Sequence, residues 1–160
     1  MPSSYDPLIN DFEQGGPRLR AAVAGLSPEQ LKACPVPGTW SIHEIVVHMM
    51  DSDGIGIDRM KRIAAEELPL LIGYNETQFI QRLHPHEQPL DQVLSVFETS
   101  RRLFAVTLRK LTETDFGRAG IHNEAGKKTL GEMLNTYVEH LNHHLTFIER
   151  KKAILQGKAG

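Results

Sequence analysis

The chain has 160 residues, 40% of them hydrophobic, and its 18 Lys and Arg against 20 Asp and Glu leave a net charge of -2. That length supports one ordinary domain with its own core, residues 1–160, and the charge balance excludes both a basic nucleic-acid face and an acidic tail. The single cysteine, Cys34, excludes an intramolecular disulfide and fits a reducing cytosol.

The start, Met1-Pro2-Ser3-Ser4-Tyr5-Asp6, has no basic stretch leading into an apolar one, so no signal peptide is expected. Apolar runs such as Pro69-Leu70-Leu71-Ile72 are far too short to span a bilayer, and a cytoplasmic location without membrane partners follows as the expectation.

In chain order the pattern is helical. Leu8, Ile9 and Phe12 open a first helix, which Gly15-Gly16-Pro17 is expected to break or restart before Leu19, Ala22, Val23 and Leu26. Ser27-Pro28-Glu29 reads as an N-cap, a proline at the first helical position and an acid in the first turn. After the loop Pro35-Val36-Pro37-Gly38, Ser41 caps a second long helix with Glu44 as the capping-box partner. Its apolar positions Ile42, Ile45, Val46, Met49, Ile57, Met60 and Ile63 keep helical spacing, with Gly54 and Gly56 weakening the middle. Residues 66–89, rich in Pro, Gly and His, read as a long crossover with a short helix near Glu76 to Leu83. A third long helix runs near Leu90 to Leu111, Thr112 to Lys128 reads as a polar loop, and Leu130 to Ile154 forms the fourth. No window alternates long enough to argue for a buried sheet. The expected fold is all-α, a four-helix bundle with a long crossover connection between the second and third helices.

The chemistry-bearing residues are histidines. Met133, Tyr137, His140 and His144 step by four, three and four, the spacing of an inward helix seam. His48 lies on the second helix at the edge of its apolar stripe. Three neutral imidazoles from two helices, with one position left open, suit a catalytic zinc or nickel ion. A His-x-x-x-His pair alone is a weak signal, and a lone interior histidine is more often a hydrogen-bonded core residue. Two adjacent inward imidazoles are costly to desolvate unless something satisfies their nitrogens, and a metal does so.

The remaining candidates read more blandly. His143 falls on the rim, His43 on the surface, and His84, His86 and His122 in loops. Glu44 reads as a cap, whereas Asp51, which shares a face with His48, reads either as a solvated acid or as a carboxylate that orients the imidazole or serves as a base. Cys34 reads as a small buried thiol and Trp40 as a packing anchor. Arg59, Lys61, Arg62, Arg101 and Arg102 read as solvated helix faces.

The stretch from Pro37-Gly38-Thr39-Trp40 through His48, followed by Asp51-Ser52, resembles the first metal motif of the DinB/YfiT-like metalloenzymes. His140-Leu141-Asn142-His143-His144-Leu145 resembles their second motif, His-x-x-His-His, and the paired motifs in this order, 92 residues apart, are far more specific than either alone. The resemblance runs from about Leu19 to Ile148 and includes Gly25 to Leu31, Tyr74-Asn75-Glu76 and Leu111 to Phe116. It is nearest to the YfiT-like, bacillithiol S-transferase-type branch, with Leu145-Thr146-Phe147 where the broader group often has Arg-Gly-Gln. Two features differ from that branch: Phe79 stands near a position that is often Trp, and Ile121-His122-Asn123-Glu124 lacks a His-Pro step.

The resemblance implies a four-helix bundle, a homodimer, and His48, His140 and His144 as ligands of a divalent zinc or nickel ion. With a small-molecule substrate, the expected reaction is transfer of a low-molecular-weight thiol, acting as co-substrate, onto an electrophile. The alternatives are hydrolysis by metal-activated water, or a non-catalytic metal-binding or dimerisation module.

Overall fold

The computed structural model describes residues 3–158. Four long helices form the bundle: α1 (Asp6–Val23), α3 (Ile42–Ala65), α5 (Leu90–Leu108) and α7 (Leu130–Leu155). Helices α1 and α3 each pack against both α5 and α7, so the chain visits the corners of the bundle out of sequence order. Short helices α2 (Pro28–Lys32), α4 (Glu76–Arg82) and α6 (Glu113–Phe116) occupy the connections, with a 3-10 turn at Pro85–Glu87. Among the described residues, no helix is long and apolar enough to cross a membrane. The expected four-helix bundle and its crossover between the second and third long helices are the observed architecture.

Capping boxes at Ser27, Ser41, Thr112 and Thr129 start α2, α3, α6 and α7, each satisfying backbone N–H groups that a helix start would leave unpaired. The expected break at Gly15-Gly16-Pro17 does not occur, and α1 runs through it. These glycines are contact points: a Cβ at Gly15 would collide with the Arg101 guanidinium and Leu141, and one at Gly16 with the backbone of Glu98. Bare backbone lets α5 and α7 approach, which offsets the helix-propensity cost.

The stretch expected to be a polar loop holds α6 and a hairpin, β2 (Ala119–His122) and β3 (Gly126–Thr129). Strand β2 also pairs in parallel with β1 (Leu70–Leu71) from the crossover, making a three-stranded sheet in the order β1-β2-β3. Strands of two to four residues are too short to show alternation, and β1 finds its partner about fifty residues away. The sheet and its loop contacts anchor the crossover: the Gly73 N–H donates to Asn123 Oδ1 at 2.7 Å, and Arg59 Nη2 donates to the Ile72 carbonyl at 2.5 Å.

Two apolar clusters fill the bundle. One centres on Phe12, Met60, Phe104, Phe116 and Leu134, the other on Leu19, Ile45, Met49, Phe97 and Leu141. Arg101, expected to be solvated, is fully buried and touches both, its guanidinium 4.4 Å from the Phe12 ring and 4.6 Å from the Phe97 ring. It donates to both carboxylate oxygens of Asp53, at 2.5 and 3.0 Å, and to the Phe12 and Tyr137 carbonyls. Each of its three nitrogens has an acceptor, which is what makes a buried cation tolerable. Arg59 is likewise buried, its Nη1 donating to the Tyr137 hydroxyl.

Candidate metal centre

The capping box at Ser41 sets the phase of α3, and that phase turns His48 inward between α3 and α7. On α7, His140 and His144 lie one turn apart and face the same interior space. The three rings converge: His140 Nε2 is 3.1 Å from His48 Nε2 and 3.1 Å from His144 Nε2. One nitrogen carries either one proton or one lone pair, so the central Nε2 can make one good hydrogen bond, not two. The arrangement suits a cation that draws in all three lone pairs. Tetrahedral zinc with Zn–N bonds of about 2.0–2.1 Å separates its nitrogens by about 3.3 Å, close to the spacing seen.

The electrostatics agree with that donor set. Burial, and after it the neighbouring imidazole of His140, pushes the His48 pKa down to about 4. Burial and then the Arg101 charge take His140 to about 4, and burial with the adjacent His140 and His48 takes His144 to about 3. All three rings are therefore neutral at pH 7, the state that ligates a metal.

Packing orients the rings. Trp40, just before the cap, lies 4.9 Å from the His48 ring and nearly parallel to His144 at 6.4 Å, with Phe147 against His144 at 5.9 Å. The Nδ1 atoms of His140 and His144 are buried and meet no protein acceptor, so aromatic contacts, rather than the carboxylate or carbonyl partners usual behind such ligands, hold these rings. Trp40 is thus a packing anchor, as expected, but what it anchors is the histidine cluster.

A cavity of about 560 Å³ opens onto the cluster, walled by Trp40, Phe147, His140 and His144, with Glu76 and Lys151 among its polar groups. Glu76 Oε2 lies 3.7 Å from His48 Nε2. Its position comes from the crossover: the Tyr74 hydroxyl bonds Ser52, one turn after His48, and Asn75 caps α4 by accepting from the Gln78 N–H at 2.9 Å. Burial holds the Tyr74 phenol protonated, its pKa raised to about 12. Glu76 went unsingled in the sequence because an acid in the first turn of a short helix is ordinary there and carries no periodicity. Its one visible signal was its place after Asn75, a good N-cap.

His143 lines the cavity, as expected for a rim residue. Glu44 is the cap, its carboxylate accepting from the Ser41 N–H at 2.8 Å, and Asp51 is half-buried and makes no hydrogen bond to a site histidine. His43, expected on the surface, is 4% exposed, because the crossover returns over the start of α3 and brings the Gln88 carbonyl to its Nε2 at 3.0 Å. His84, His86 and His122 do not line the cavity; His86 Nε2 instead meets Ser41 Oγ at 2.8 Å. Cys34, expected to be buried, is exposed, its thiol donating to the Thr39 carbonyl at 2.9 Å, because the loop that carries it lies outside the helix packing.

Residues 11–148 match the model of the DinB superfamily. A protein of Oceanobacillus iheyensis provisionally named a metal-dependent hydrolase is 30% identical over 140 residues, covering 88% of this chain and 81% of that protein. A Bacillus licheniformis protein with the same provisional name is 32% identical over 142 residues, with the same coverage. The solved structure of YfiT from Bacillus subtilis, described as a probable metal-dependent hydrolase with an unusual four-helix bundle topology, superposes with a TM-score of 0.90 at 25% identity, covering 99% of this chain and 92% of that one.

Proposed function

The chain belongs to the DinB superfamily, and from that premise we propose that it is a metal-dependent enzyme in which the Nε2 atoms of His48, His140 and His144 hold one divalent ion, zinc or nickel. The observation that carries this reading is the approach of His140 Nε2 to both other Nε2 atoms at 3.1 Å. An ion held there supplies a Lewis acid that lowers the pKa of a thiol or water at its open position.

The reaction we propose is transfer of a low-molecular-weight thiol to an electrophilic small molecule. The thiol sulfur forms the new S–C bond as the electrophilic carbon's bond to its leaving group breaks; the leaving group departs with the bonding electron pair, and the thiol proton goes to solvent or to Glu76. No side chain of this protein serves as the nucleophile. Thiols ionise far more readily than water, so this reaction makes the lighter demand on a general base, and Glu76 stands beyond hydrogen-bond distance of His48. Trp40 and Phe147 wall the reacting end with apolar surface and limit the access of competing water.

A second reading, hydrolysis, is favoured by the same Glu76 carboxylate, which faces the site as a base for water, and by the names of the two relatives. The two are separable. Wild-type protein should carry about one zinc or nickel per chain by elemental analysis, and His140→Ala should lose the metal while keeping its helical circular dichroism. Metal-dependent turnover that requires an added thiol supports transfer. Turnover of an ester or amide without thiol, abolished by Glu76→Gln, would establish hydrolysis instead. A metal-free wild type that takes up no added metal would overturn both.

A further inference from the structure

We propose that Lys151 and Arg150 form an anion subsite in this cavity, taking a carboxylate or phosphate group of the substrate or co-substrate. The proposal rests on the reading of the cavity as the substrate site.

Lys151 is 5% exposed, yet among the described residues the one hydrogen bond its ammonium makes is to the Thr39 hydroxyl. Among the described residues, no carboxylate lies within 4.0 Å of Lys151 or Arg150. Buried charges are almost always paired, as Arg101 is with Asp53 in this same bundle, so a buried ammonium held by one neutral hydroxyl at a cavity wall is short of an anion. Of the two acidic groups whose fields reach Lys151, the Cys34 thiol donates to the Thr39 carbonyl and the Glu44 carboxylate accepts from the Ser41 N–H of the capping box. Burial accordingly lowers the Lys151 pKa below its ordinary value.

Position gives the ligand its shape. His140, His144, Phe147 and Lys151 step by four, three and four along α7, so they share one face. Lys151 stands about 10 Å beyond His144 along the helix axis. Phe147 lies between them on that face, and the Trp40 ring lines the same cavity against the histidines. The fitting ligand is a small molecule with its reacting atom at the histidines, an apolar or flat body, and an acidic group at the Lys151 end of the cavity. The flexible ammonium and the forked guanidinium of the adjacent Arg150 accept either a carboxylate or a phosphate.

The test is calorimetric binding of phenylbutyrate, phenylbutyramide and phenethyl phosphate to the full chain as purified. Wild type should bind the carboxylate or the phosphate about tenfold or more tighter than the neutral amide, the size of one charge-assisted hydrogen bond. Arg150→Gln should reduce that preference and Lys151→Met should remove most of it, with metal content unchanged in both. Equal binding of the three probes by wild type would overturn the subsite, and that comparison needs no variant to fold. A preference that survives in the double variant would also overturn it, placing the anion at the histidine end. Metal content measured on the same samples tests the metal reading separately, because the probes carry no thiol and their discrimination does not require turnover.

Discussion

His43 sits one residue inside the capped start of α3, and the returning crossover buries it. Desolvation dominates its titration and holds its pKa below the ordinary value; His86 and Lys32 act the same way, while the Gln88 carbonyl opposes them. In the unfolded chain the ring takes up a proton near pH 6.5. The folded ring does so only at lower pH, so the unfolded state binds more protons in that interval and stability falls as pH drops below about 6.5. The urea midpoint of wild type should therefore decline between about pH 7.5 and about pH 5.5, and His43→Gln should decline less. Equal slopes for the two proteins would show that His43 is not a source of the acid sensitivity.

Helix α3 carries two mid-helix glycines that the amino-acid pattern treats alike and the packing separates. A Cβ at Gly54 would meet nothing within 4 Å, whereas one at Gly56 would run into the Tyr137 ring. Gly54→Ala should raise stability by about 0.5–1 kcal/mol through helix propensity alone. Gly56→Ala should lower it by about 1–3 kcal/mol, because Tyr137 must move, and with it the hydroxyl that accepts from Arg59 at 3.1 Å. Urea denaturation of both variants checks this, and two stabilised proteins would refute the close approach of α3 and α7 at that point. Tyr137 lies one turn before His140, so the same approach sets how far the two ligand-bearing helices stand apart.

At the scale of the molecule, Arg101 ties all four long helices together: α5 carries it, α3 supplies Asp53, and α1 and α7 supply the Phe12 and Tyr137 carbonyls. Asp53→Asn leaves a fully buried guanidinium without its counter-charge and should cost about 3–5 kcal/mol. Replacing both partners, Asp53→Leu with Arg101→Met, should recover part of that loss, since two apolar groups leave no orphaned charge. Thermal unfolding of the three proteins measures it; a double variant less stable than Asp53→Asn would show that the carbonyl contacts of Arg101 matter more than the ion pair. The hub also braces the site, because its bond to the Tyr137 carbonyl fixes α7 just below His140.

The helical class, the four long helices, the caps at Ser27 and Ser41 and the inward seam of α7 were legible in the chain itself, because helix periodicity and capping are local and repeat within a few residues. The pair His140 and His144 belongs to that class of information, since one helix sets their relative direction. Whether His48 meets them was not local: two helices must pack at a given height, and the convergence at 3.1 Å is a property of α3 against α7. Glu76, Lys151 and the hairpin were hidden for the same reason. An acid at the start of a short helix, a lysine on an apparently polar turn and strands of two to four residues carry no pattern, and their surroundings come from segments far away in the chain. Arg101, Arg59 and His43 were read as solvated because charged and polar residues usually are. Only the assembled bundle supplies the carboxylate, carbonyls and hydroxyl that make their burial possible. Sequence alone determined which helices form and which faces they bury; the tertiary structure decided which polar groups meet inside, because that depends on the distance between helices rather than on any one of them.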